Sequence, residues 1–334
     1  MLTATAQDTA YVNQLMKAGI EHAKNGRHDQ AIIEYAKALE EDPKNAFVNY
    51  EIALSNYYLQ NNSGAVKYAR AACKDESEVG VEATILLGTV YDKMGDSKKS
   101  VKAFKKGIKR FGDYYLLWFN LGVSANHMGD YPVAANAFEQ TAIHRLEYLD
   151  AHYSLSAVKR KQRLFAEAMI PLYFYLLLDP NSDQSKMALR DIEKLKQLAV
   201  RVDSVNKKEI TIELSSDEGK SQSSSDFILA IVQASSGLDG YDTLALSDRF
   251  IRDFKMIFGY LASIDHKKRD DIYTRYYIPM FAALAQTDHV KAFGNYITQS
   301  VDPQSAEWVK AHTEELSHLF EWLDEQPFKP GDEE

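Results

Sequence analysis

Cysteine is almost missing from this chain. Cys73 is the only one in 334 residues, so no intramolecular disulfide can form and a thiolate zinc cage has no second sulfur. Glycine (16) and proline (8) are scarce, which argues against turn-rich β architectures and against low-complexity disorder. No apolar run approaches the ~18 residues of a membrane-spanning helix. Positive charge is in deficit: 39 Lys and Arg against 48 Asp and Glu leave a net charge of −9, which argues against a dedicated nucleic-acid binder. The patterns GxGxxG, the phosphate-binding P-loop, HExxH and GxSxG are all lacking. His312 and His318 stand six apart, off the i, i+4 spacing of a helical metal pair, and the charged stretch Asp265-His266 to Asp270-Asp271 is expected to be solvated. No nucleophile, base and oxyanion donor combine. The sequence predicts a protein that is not an enzyme and needs no cofactor or metal.

What is present is a repeat. Ala31, Ala65, Ser100, Ala134 and Ala168 are spaced 34, 35, 34 and 34 residues apart, and Gly19, Ala53, Gly88, Gly122 and Ser156 keep the same four intervals. Tyr35, Ala69, Phe104, Phe138 and Leu172 form a third column of mostly larger side chains. A period of this length marks stacked supersecondary units. Within a unit the apolar residues fall on two helical faces. Trp118, Leu121, Gly122 and Ala125 mark one helix, Gly129-Asp130-Tyr131-Pro132 a turn, and Ala134, Ala137, Phe138 and Thr141 a second helix. Small residues sit where two helix backbones approach, and a large one fills the adjacent groove.

On these residues the chain resembles the tetratricopeptide repeat (TPR) family. Its pattern is matched in pieces by Trp118, Leu121-Gly122, Ala134 and Phe138, by Leu87-Gly88, Tyr91 and Phe104, and by Gly19, Ala31, Tyr35, Ala38 and Pro43. Five repeats fit at 12–45, 46–80, 81–114, 115–148 and 149–182, about half the chain. The fifth departs most, with Ser156 for the glycine and Tyr175 for a small alanine. The resemblance implies an all-α fold, a right-handed superhelix of helix pairs whose concave face binds a peptide or helix.

A helix over 183–199, with Met187, Leu189, Ile192, Leu195 and Leu198 inward, is the expected cap of the last repeat; it closes a domain over 12–199 that follows a flexible N-terminus, 1–11. Glu209–Leu214 alternates polar and apolar as a strand does, yet a lone strand is not stable by itself, and an extended segment is the simpler expectation. Residues 215–225 are polar and serine-rich, so 200–225 is taken as a linker. Residues 226–325 form a second, helical domain before an acidic tail, 326–334. Asp226 is expected to cap its own helix, Phe250, Phe254 and Phe320 to make a core, Pro279 to kink or break a helix, and Asp302-Pro303 to open one. This half resembles the C-terminal helical extension of some bacterial TPR proteins, a resemblance that adds architecture and no activity.

The family's groove is lined by positions 2, 5, 9 and 12 of each first helix. Carried over by register, repeat one contributes Asn13, Met16, Ile20 and Ala23. The apolar anchors are Phe47, Tyr50, Leu54 and Tyr57 from repeat two, Leu116, Phe119 and Val123 from repeat four, and Tyr153 from repeat five. The family's carboxylate clamp is absent, because Met16, Ile20, Glu82 and Leu86 stand at its positions. An apolar groove suits an amphipathic helix or an extended apolar segment of a protein partner; the chain's own C-terminal half is a competing occupant, and packing between repeats is a competing use of these side chains. The basic runs Lys98–Arg110 and Lys159–Arg163 are expected to be solvated. The expected function is therefore a non-enzymatic adaptor, scaffold or assembly factor, with no nucleic-acid partner. The alternatives are a regulatory or catalytic C-terminal domain on a TPR scaffold, and a secretion-type chaperone. Ala4-Thr5-Ala6 before Gln7 resembles the end of a signal peptide, so exported (periplasmic) and cytoplasmic locations both stand for a soluble protein.

Overall fold

The computed structural model describes residues 6–112, 114–198, 226–236, 241–264 and 271–327. Among these the fold is all-α. The strand-like segment 209–214, the linker 215–225 and most of the 326–334 tail lie outside the described residues. The chain divides into two compact units, 1–137 and 138–334; the division falls inside a helix, well before the serine-rich stretch.

In the first unit α1 (Ala6–Lys24) pairs with α2 (His28–Glu41), α3 (Ala46–Tyr58) with α4 (Asn62–Ala72), and α5 (Glu78–Lys93) with α6 (Ser97–Phe111). Then come α7 (Tyr115–His127) and the start of α8 (Tyr131–His144). The small-residue columns explain the pairing. A Cβ on Gly19 would overlap the Tyr35 ring, and one on Gly88 would overlap the Phe104 ring; both rings are fully buried. Asn45, Asn61 and Asp96 cap α3, α4 and α6 through their side-chain oxygens, which satisfies helix-end N–H groups that would otherwise be orphaned.

The turns inside the pairs show the repeat most clearly. Left-handed backbone occurs at Gly26, Gln60, Gly95, Gly129 and Arg163, with φ of 73°, 60°, 79°, 78° and 63°. The intervals are again 34, 35, 34 and 34. After each, one N–H returns to a carbonyl five residues back: Arg27 to His22, Asn61 to Asn56, Asp96 to Tyr91, Asp130 to Ala125 and Leu164 to Lys159. This is the Schellman closure of a helix end. Glycine adopts it freely; Gln60 and Arg163 do so without a glycine's freedom. The fifth pair, least regular in sequence, thus keeps the turn of the other four.

The second unit contains the end of α8, α9 (Leu149–Lys161), α10 (Phe165–Leu178), α11 (Asp183–Leu198), α12 (Phe227–Ser236), α13 (Leu246–Ser263), α14 (Ile278–Ala285), α15 (His289–Thr298), α16 (Pro303–Ala311) and α17 (Thr313–Glu325). Its centre is α10, buried continuously from Phe165 to Leu177. A helix apolar on every side needs neighbours on every side, and α9, α11, α15 and the π-helical turn Tyr273–Tyr277 all pack against it. Tyr173, Phe174, Phe254, Phe258, Phe281 and Phe293 form an aromatic cluster there, its ring pairs edge-to-face or, as at Phe293 against Phe254, tilted. Pro171 lies inside α10. It has no N–H to donate to the carbonyl of Glu167, four residues back; the Tyr273 hydroxyl donates to that carbonyl instead, at 3.1 Å.

Several expectations are corrected. Phe250 and Phe254 are buried, but Phe320 is 37% exposed, lying against Tyr296. In α11, Leu189, Ile192 and Leu195 are inward, whereas Met187 and Leu198 are exposed. Pro279 stands in the first turn of α14, directly after the π-helical segment, so the regular α-helix is interrupted there. Asp302 caps α16 as expected. Asp226 does not cap its own helix. Its Oδ1 accepts the Ala166 N–H at 2.7 Å, capping α10 from 60 residues away, while Oδ2 is buried without a partner.

Burial raises the Asp226 carboxyl to about 6, against the pull of the α10 N–H groups. The neutral form is therefore favoured by folding. The stability this supplies is complete below the ordinary Asp value near 3.9 and is lost as pH rises through 6. Asp226→Asn keeps an acceptor for Ala166 and cannot ionise. Relative to the parent it should gain about 2–3 kcal/mol at pH 8 over any difference at pH 4, read by thermal unfolding at the two pH values. An equal difference at both would show that Asp226 ionises freely.

Candidate functional site

Two adjoining clefts lie along α1 and α3 in the first unit. One, of about 300 Å³, is lined by Asn13, Met16, Lys17, Ile20 and Phe47. The other, of about 370 Å³, includes Ile20, Ala23, Phe47, Glu51, Leu54 and Tyr58. Asn13, Met16, Ile20 and Ala23 are the four positions that the register assigns to repeat one. The positions arise simply: residues three and four apart share a helix face, and Leu15 and Gly19, on the adjoining face, pack against α2. Met16, Ile20, Ala23 and Phe47 pack against the buried cluster of Leu15, Ala31, Tyr35 and Ile52 while staying partly open.

The eight apolar anchors are placed differently from one another. Phe47 and Leu54 line the clefts. Tyr50, Leu54 and Tyr57 are half-buried against the next cluster, Ala53, Ala65, Leu86, Leu87 and Val90, so they also join one repeat to the next. Burial first, and then Glu82 and Glu51, push the Tyr50 hydroxyl up to about 12. Lys93 lies 4.4 Å over the Tyr57 ring. Leu116, Phe119 and Val123 are half-buried on α7. Tyr153 belongs to the second unit, where its hydroxyl donates to Asp191 at 3.1 Å and its ring meets Tyr175 edge-on.

Tyr58 was not among the register positions. It stacks on His28 at 4.6 Å and is 56% exposed. Its signal was weak: it directly follows a groove position and precedes the turn. The polar residues at the clefts are Asn13, Lys17, Lys24, His28, Glu51 and Ser55; Glu51 accepts from the buried Tyr35 hydroxyl at 3.2 Å, and its carboxyl is pushed up by burial.

Several polar groups away from these clefts are structural. Cys73 is half-buried beside Thr84, and burial pushes its thiol up, away from a reactive thiolate. In the second unit His152 is fully buried and lowered to about 4 by desolvation. Its Nε2 lies 2.6 Å from the Leu146 carbonyl and its Nδ1 2.6 Å from the Tyr277 hydroxyl. A carbonyl can only accept, so Nε2 carries the proton and Nδ1 accepts from Tyr277. Lys159, expected in a solvated basic stretch, is instead buried, 3.0 Å from Glu139 and 2.8 Å from Glu167. Among the described residues no cluster of three His, Cys, Asp or Glu could hold a metal, and no helix is long and apolar enough to cross a membrane.

The family match falls on the first unit and slightly beyond it, and the similar structures cover just over half of the chain. The tetratricopeptide repeat family profile matches residues 16–84 and 85–145. Among solved structures, the chain is similar to MamA (21% identity, 54% of this chain and 96% of that one, TM-score 0.43). It is similar also to YrrB, a TPR protein with an unusual peptide-binding site (17%, 57% and 100%, TM-score 0.45), and to PilW, a type IV pilus biogenesis factor (18%, 58% and 92%, TM-score 0.46). No curated protein matches. With helix pairs in series, one turn conformation at one period and a family match over 16–84 and 85–145, this part of the chain is built of tetratricopeptide repeats.

Proposed function

We propose that the chain is a non-enzymatic protein-binding module that takes an apolar helix or extended segment of a partner protein along the first helices of its repeats. The observation that carries this is the pair of adjoining clefts on α1 and α3, where Met16, Ile20, Phe47 and Leu54 remain partly open. Adjacent apolar side chains held on rigid helices are the anchors an amphipathic segment needs. Tyr50, Tyr57, Leu116, Phe119 and Val123 extend the proposed surface in the first unit; Tyr153 remains a separate candidate in the second.

The test uses a photo-crosslinking residue at position 16 or 20 of the full chain, expressed in its native cell. Crosslinks should form to a partner through an apolar segment. Met16→Glu with Ile20→Glu, read with the crosslinker at position 54, should abolish them while hydrogen exchange in α2 stays slow. Crosslinks that persist unchanged in the double variant would remove the clefts from the function.

A further inference from the structure

A third cleft of the first unit, of about 550 Å³, lies between α4, α5 and α6, away from the apolar pair. Its charge is one-sided. Arg70 comes from α4 and Lys74 from the turn that follows it, and Lys99, Lys102, Lys106 and Arg110 come from α6; no carboxylate is among its lining residues. This occurs in a chain whose net charge is −9. The four α6 cations fall at i, i+3, i+7 and i+11, one face of the helix, over about 16 Å of its axis. The floor between the walls is apolar, with Leu87, Ala103 and Phe111.

The hydrogen bonds separate these cations into two kinds. Both arginines are already engaged. Arg70 donates to the Tyr91 hydroxyl at 2.8 Å, and Arg110 donates to the carbonyls of Cys73 and Lys74 at the end of α4, each at 2.5 Å. Lys99 pairs with Asp96. The side chains of Lys74, Lys102 and Lys106 have no hydrogen bond or ion pair among the described residues. A single phosphate is best held by a converging guanidinium fork. What this cleft offers is the opposite: separate ammonium groups, strung along two walls, above an apolar strip.

We propose that the α4–α5–α6 cleft docks an acidic segment of a protein, its carboxylates spaced along the lysines and an apolar side chain on the floor. About five extended residues cover 16 Å, so a short motif suffices. Each exposed ion pair contributes little alone, but opposed rows give steering and register. This surface uses other helices and other chemistry than the apolar clefts, so either can fail without the other.

The experiment is fluorescence anisotropy of the full chain with a labelled peptide EEDLEDE, its QQNLQNQ counterpart, and inorganic tripolyphosphate as competitor, at low and at physiological salt. The acidic peptide should bind and the amide peptide should not. Lys102→Gln with Lys106→Gln should weaken the acidic peptide about tenfold. Lys98→Gln with Lys109→Gln removes the same charge from α6 outside this cleft and should change binding less than about twofold, with circular dichroism of both variants unchanged. Equal losses in the two variants would mean diffuse attraction and overturn the site. Tripolyphosphate binding that depends on Lys102 and Lys106, with no peptide binding, would assign the cleft to phosphate and overturn the acidic segment.

Discussion

Replacing Lys159 by Met should destabilise the second unit by about 3–5 kcal/mol, the usual cost of removing one partner from a buried ion pair. The ammonium is held between Glu139 and Glu167, each about 9–10% exposed in its side chain, and lies 4.8 Å over the Tyr273 ring. Burial alone would lower the lysine; the two carboxylates outweigh it and hold it raised. Glu139 is pushed up by burial even with its partner present, and Asp271 and Glu167 add to the push. Without the lysine, two buried carboxyls face one another and one must take a proton. A carboxyl raised in the folded state stabilises at low pH and loses that contribution as pH rises through its folded value. The deficit of the variant should therefore be smaller at pH 5 than at pH 8. Thermal unfolding at both pH values, with hydrogen exchange of α9 and α10 as a local readout, measures this. The triple change Lys159→Met, Glu139→Leu and Glu167→Leu should recover most of the loss, because an apolar core of similar volume often equals a buried triad. A deficit below about 1 kcal/mol, or one independent of pH, would mean that the triad is hydrated.

That triad also shows where a sequence stops being informative. The repeat was legible because its signals are local: a small residue, a large one and a turn, each recurring at 34 or 35 residues. The pairs, their turns and the α1 register positions follow from such signals. Lys159 carries none. Its neighbours Arg160, Lys161 and Arg163 are exposed, and only the carboxylates of two other helices make the difference. The same holds for Asp226 on α10 and for His152 with Tyr277, joined across 60 and 125 residues. One clue was available in the sequence. Residues 165–178, Phe-Ala-Glu-Ala-Met-Ile-Pro-Leu-Tyr-Phe-Tyr-Leu-Leu-Leu, lack a polar face. A terminal repeat helix with solvent on one side would not have that composition, so it already required α13 to α15 or an equivalent cover. At the candidate site the limit is different. Period fixes which way a side chain points, not how far its neighbour covers it, and so Met16 and Tyr50 share a register class yet differ in their surroundings.

The column of glycines yields the second large effect, as a double-mutant cycle at Gly88 and Phe104. Phe104 is fully buried, and its ring occupies the space a Cβ on Gly88 would need. Phe104→Ala should cost about 3–5 kcal/mol through lost burial and the cavity it leaves. Gly88→Ala should cost about 1–3 kcal/mol, because the ring must leave its rotamer or the helices must part. The two losses should not add. Once the ring is gone the new methyl meets no obstacle, partly fills the cavity, and gains the helix propensity of alanine, about 1 kcal/mol over glycine. The double variant should therefore be no less stable than Phe104→Ala alone, a coupling of about 1–3 kcal/mol. Urea unfolding of the full chain reads it, with Trp118 as the probe in the first unit and hydrogen exchange of α5 and α6 to localise the change. Additive losses would show that α5 and α6 separate freely. They would also remove the physical reason for the Gly19 and Gly88 column, since the same contact with Tyr35 recurs at Gly19.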